Sequence, residues 1–178
     1  MARQLWLLRH ADAEPHGTRP DAERRLTERG ERQARLAGLA LRRMGVEPEE
    51  IFTSPKERAL RTTTLALEAW GGERLDRLRV HPPLYEGFDA PQALDALARL
   101  GPDGRLLAVG HEPDLSNVVA ELTGARIDLK KAGLAVVRIA ASAAADSGGR
   151  SDGAGGELLL LLRPVELALI ADVHDADI

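Results

Sequence analysis

The chain has 178 residues and a formal charge of −4, with 44% hydrophobic and 29% charged residues, which suits one domain (1–178) with a sizeable core. It contains no cysteine, which excludes disulfide frameworks, thiolate nucleophiles and zinc ribbons. Mild acidity argues against a nucleic-acid partner, and no run approaches a membrane span, so a cytoplasmic protein without membrane contact is expected.

Gln4–Leu8 reads as a short buried strand. The polar stretch that follows, with Pro15, Gly17 and Pro20, reads as a long loop, a length more often functional than idle. Thr27 is the expected N-cap of an amphipathic helix with Leu36, Leu39 and Ala40 on its apolar stripe and Gly45 as its stop. "EEIFTSP" gives a second apolar run. Ser54 as N-cap and Pro55 at the first helical position then open a helix to about Trp70. A short strand is expected near Arg79 and Val80, followed by the helix "APQALDALARLG", the strand "GRLLAVGH" and the helix "EPDLSNVVAELTG". Two strand-like runs, "AGLAVVRIA" and "ELLLLLRP", flank a small-residue tract (141–156) read as a flexible hairpin connection, and "VELALIADV" adds a terminal helix. Alternating strands and helices imply an α/β three-layer sandwich: a mostly parallel sheet, helices on both faces and a C-terminal antiparallel hairpin.

In such sheets ligands bind beyond the carboxyl ends of the strands. Three apolar runs here end in reactive residues: Arg9 and His10 after the first, Ser54 and then Arg58 after the second, His111 after "LLAVG". Parallel strands would gather two histidines and two arginines at one edge, a set suited to an oxyanion. Arg58 near a helix start is disfavoured by the helix dipole unless an anion is present. Each residue taken singly reads as a cap or a solvated charge; their coincidence is the signal. Of the 24 basic residues 21 are arginines, most simply through coding bias, and Arg24, Arg25 and Arg61 read as surface charges.

The blocks "LLRHADAE", "DAERRLTERG", "SPKERALRT" and "VGHEPDLS" resemble, in order and spacing, the histidine phosphatase superfamily, in particular its small SixA-type phosphohistidine phosphatases. The resemblance covers nearly the whole chain, with Ala11 where the family usually has glycine. It implies a metal-independent phosphatase without cofactor, with His10 as nucleophile and Arg9, Arg58 and His111 gripping the phosphoryl group. Larger members supply an acid from the segment before the third helix. Glu86 is the candidate here, beside Asp89. Neighbouring arginines would keep His10 neutral for attack, while a protonated His111 would complete the clamp. Asp12 and Glu14 would repel a phosphate and read as loop structure. The expected partner is a phosphorylated protein or a small phosphorylated substrate, acted on by a monomer. Two other readings stay open: metal-dependent hydrolysis with His10, Asp12 and His111 as ligands, and a non-catalytic phosphate-binding module.

Overall fold

The computed structural model describes residues 2–140 and 155–171. Six strands form one sheet: β1 (Ala2–Arg9), β2 (Glu50–Thr53), β3 (Leu78–Val80), β4 (Arg105–Gly110), β5 (Leu134–Ala140) and β6 (Gly156–Leu162). Their order is β3-β2-β4-β1-β5-β6. The first four in that order are mutually parallel, while β5 runs antiparallel to β1 and β6 antiparallel to β5. The helices are α1 (Glu28–Arg43), α2 (Glu57–Trp70), α3 (Ala90–Ala98), α4 (Asp114–Thr123) and α5 (Pro164–Ala171).

The apolar run in β1 has no polar alternation because both of its faces are buried. Leu5 and Leu7 pack with Leu97, Leu115 and Val119 of α3 and α4. Trp6 and Leu8 pack with Leu41, Leu67 and Leu167 of α1, α2 and α5. These two apolar clusters are the cores of the expected three-layer sandwich.

Three local expectations are corrected. The fully buried face of α1 is Gly30, Ala34, Ala37, Gly38, Ala40 and Leu41, with Leu36 and Leu39 at its margin. The reason is close approach: a Cβ on Gly38 would lie 2.0 Å from the Ala66 carbonyl oxygen of α2. The N-cap of α2 is Lys56 rather than Ser54. The Ser54 hydroxyl accepts from the Lys56 amide at 3.2 Å and stands 2.8 Å from His111 Nε2, so its turn precedes the helix. Residues 141–154 of the expected flexible connection lie outside the described residues. Gly156 belongs to β6, where a Cβ would lie 2.8 Å from the Leu122 carbonyl oxygen. Thr27 caps α1 as expected, accepting from the Gly30 amide, and Gly45 ends that helix with φ 64°.

Candidate active site

Strands β2, β4 and β1 are adjacent and parallel, so their carboxyl ends emerge at one edge of the sheet. There β1 hands over to His10, β2 to Ser54 and β4 to His111. Backbone bonds hold the three exits in register: His10 N donates to Gly110 O and Ser54 N to Val109 O, both at 3.0 Å. Arg58 lies in the first turn of α2, buried at 4% exposure. The Thr62 hydroxyl accepts from Ala11 N at 3.0 Å and donates to Arg58 O at 2.6 Å, tying the residue after His10 to the turn that bears Arg58.

His10 is 5% exposed, and its tautomer is dictated by its neighbours. Nδ1 lies 2.7 Å from the Ala11 carbonyl, which can only accept, so Nδ1 carries the proton. Nε2 then presents a lone pair, which receives Arg58 Nε–H at 3.2 Å. Burial lowers the His10 pKa from 6.5 to about 3, opposed by the Ala11 bond and reinforced by Arg58, Arg9 and Lys131. His111, 7% exposed, stands with its ring centroid 5.1 Å from that of His10. Burial first, then His10, Arg58 and Lys56, lower its pKa to about 2. Among its protein neighbours His111 is therefore a neutral imidazole, because desolvation and surrounding cations outweigh the charge of Asp21, whereas the expected proton belongs to a clamp around a phosphoryl group. Its Nδ1 and the Nε of Arg9 are buried and have no hydrogen-bond partner among the described residues. Arg9 Nη1 donates to Leu129 O at 2.8 Å.

These four side chains line a cavity of about 670 Å³, together with Asp12, Glu14, His16, Asp21, Arg24, Lys56, Glu112 and Lys131 among others. The loop acids do face it, contrary to expectation, with their charges already matched. Asp12 accepts from Lys131 Nζ at 2.8 Å and from the Thr27 hydroxyl at 2.9 Å, and Glu14 from Arg19 Nε at 2.7 Å. That pairing also leaves Asp12 poorly placed as a metal ligand, and no group of three such side chains clusters among the described residues.

Arg24 is a correction. Far from being a surface charge, it is 6% exposed and donates to Glu14 O and to the Asp21 carboxylate. Arg25 is exposed, and Arg61 pairs with Glu31. Glu86, the candidate acid, is exposed and absent from the cavity lining, since the turn Pro82–Tyr85 carries it outward. Two lining carboxyls that sequence reasoning passed over are Asp21 and Glu112, the second next to His111. Burial raises the Glu112 pKa despite hydrogen bonds from Ser116 and the charge of Arg9, with Asp128 adding to the rise, and its Oε1 has no partner among the described residues. The only sequence signal for Glu112 was adjacency to the second histidine.

The sequence profile of the histidine phosphatase superfamily (branch 1) matches residues 5–87. An uncharacterised protein of Picosynechococcus sp. is 33% identical over 172 residues, which span 90% of this chain and 96% of that one. The chain belongs to the histidine phosphatase superfamily. That membership supports a phosphatase with histidine-based catalysis. In structure it is similar to the protein histidine phosphatase SixA complexed with tungstate, at TM-score 0.77 and 24% identity, over 92% of this chain and 99% of that one. The α-ribazole phosphatase of Shigella flexneri (TM-score 0.66, 19% identity, 90% and 96% covered) shares the fold. So does a mycobacterial glucosyl-3-phosphoglycerate phosphatase (0.59, 20%, 78% and 91%). No helix among the described residues is long and apolar enough to cross a membrane.

Proposed function

We propose that the protein hydrolyses phosphohistidine on a partner protein through a phosphoryl group carried transiently on His10. The observation that carries this reading is the tautomer of His10, whose buried Nε2 presents a lone pair beside Arg58. Attack forms the Nε2–P bond as the bond from phosphorus to the leaving group breaks. Water then attacks phosphorus, the Nε2–P bond breaks, and inorganic phosphate departs. The phosphoryl oxygens gain charge sharing from Arg9, Arg58 and His111, which acts mostly by position and electrostatics. A bound dianion would raise the His111 pKa and draw a proton onto it. Glu112, held protonated more readily than an ordinary carboxyl, donates to the leaving atom and takes a proton back from the attacking water. Glu86 gains no support from its exposed position. The reading calls on no metal, because guanidinium groups supply the neutralising charge.

The structural likeness to SixA supports the protein substrate, and the tungstate in that structure is a tetrahedral oxyanion of phosphate-like shape. A second reading, a small phosphorylated metabolite, nucleotide or polyphosphate, is favoured by the cavity of about 670 Å³, a size ordinary for small-molecule sites. The test is trapping. Incubation with a labelled phosphoryl donor and an alkaline quench should place label on His10, and His10→Ala should abolish it. Label persisting in that variant overturns the reading. Comparing kcat/KM on a phosphohistidine protein and on small phosphate esters separates the two substrate classes, and activity that vanishes in chelator would favour the metal alternative.

A further inference from the structure

Asp21 opens the short 3₁₀ turn Asp21–Glu23 in the loop between β1 and α1. Its carboxylate is the meeting point of three cations from two parts of the chain. Oδ1 accepts from Arg24 Nε at 3.0 Å and Nη2 at 2.9 Å. Oδ2 accepts from Lys56 Nζ at 3.0 Å and from Arg58 Nη2 at 3.2 Å. Arg58 Nη1 donates to the Asp21 carbonyl at 2.6 Å, and His16 stands 3.7 Å from Oδ1. Burial pushes the Asp21 carboxyl upward, but the hydrogen bonds from Lys56, Arg24 and Arg58 hold it well below the usual carboxylate range, so it is anionic at any working pH.

This coordination has the form an oxyanion needs, and it engages the same Arg58 whose Nε meets the His10 lone pair. All three nitrogens of Arg58 thus already have partners, so a phosphoryl group reaching His10 meets a guanidinium in use. The Asp21 side chain is 42% exposed and sits on a loop turn, whereas the side chains of Arg58, Arg24 and Lys56 are 5%, 8% and 12% exposed. The movable member of the cluster is therefore the carboxylate.

We propose that Asp21 is a specificity-determining residue: an internal carboxylate that holds Arg58, Lys56 and Arg24 until a phosphoryl dianion displaces it. An incoming monoanion exchanges one carboxylate-like charge for another and gains little from the three cations. A dianion places twice the charge among them and wins the exchange. The site thereby rejects carboxylates and other monoanions while keeping its cations ordered for phosphate. This rests on the phosphatase reading only in taking the cavity as the phosphoryl site.

The experiment measures inorganic phosphate and acetate binding by titration calorimetry, without turnover. Asp21→Asn should bind phosphate about tenfold more tightly, the effect of removing one competing charge at this range, and should gain acetate binding that the native chain lacks. Asp12→Asn removes the same charge from the same cavity but from Lys131, and should change phosphate affinity much less. Equal shifts in the two variants, or weaker phosphate binding in Asp21→Asn, would overturn the proposal. Should Asp21→Asn not fold, a crystal structure of the native chain with tungstate decides. There the carboxylate is expected to have left Lys56 and Arg58, and finding it still bonded to both overturns the proposal. Phosphate binding without label on His10 would fail the phosphatase reading and leave this one standing.

Discussion

Glu112 and Glu86 carry the same chemistry and differ in where the backbone puts them. Glu112→Gln keeps the size and hydrogen-bond acceptor that Ser116 uses, and removes the acid proton. It should slow hydrolysis of an alkyl phosphate by about 10²–10³ and leave 4-nitrophenyl phosphate, whose leaving group needs no proton, nearly unchanged. Glu86→Gln should change neither rate, and steady-state kinetics on the two substrates is the check. Loss of rate only in Glu86→Gln would return the acid role to the exposed loop. Arg58→Ala should cost about 10²–10³ in kcat, on the scale of an oxyanion donor. Arg9, His10, Arg58 and His111 were legible because each follows an apolar run in a pattern the superfamily shares. Arg24 and Asp21 were not, since their partners lie 3 to 37 positions away across a loop whose path no local periodicity encodes.

At the scale of elements, two glycines of α1 leave less room for a Cβ than any other glycine among the described residues. A Cβ on Gly30 would lie 1.9 Å from the Asp12 carbonyl oxygen, and one on Gly38 2.0 Å from that of Ala66. Both alanine variants should lose stability by about 1–3 kcal/mol, read by chemical denaturation. Their activities should separate. Gly30→Ala pushes on the loop two residues beyond His10 and should lower kcat, while Gly38→Ala separates α1 from α2 and should leave kcat per folded molecule near native. Equal activity in both would mean the loop absorbs the shift without moving His10. Helix positions were readable from the sequence, but the small-residue face of α1 was not. Its apolar stripe pointed to leucines, and only packing against α2 shows why alanine and glycine fill the centre.

For the whole molecule, acid stability follows from the two site histidines. Folded His10 and His111 bind protons only near pH 3 and pH 2, whereas unfolded imidazoles bind them near 6.5. The unfolded chain therefore takes up more protons below about pH 6.5, and stability falls as pH drops through that window, by about 1.4 kcal/mol per pH unit for each imidazole. The lowered Asp21 carboxyl acts in the same direction further into acid, because it too is unprotonated when folded. Urea midpoints measured from about pH 7 to pH 5 should show this decline, and His111→Asn should remove one imidazole's share of its slope, leaving that of His10 and that of His81, whose pKa burial also lowers. An unchanged slope would mean that His111 is protonated normally in the folded chain.

The order of strands and helices, the parallel sheet and the residues at its strand ends were determined by the sequence alone. Apolar runs, caps and turns are local, and a parallel sheet of buried strands sends its exits to one side. Only the tertiary structure decided what each charge faces. It turned Arg24 inward, left Glu86 outside, brought Glu112 into the cavity wall and made both site imidazoles neutral. Those outcomes depend on burial and on partners distant in the chain, and a carboxyl or an imidazole takes its charge from its surroundings.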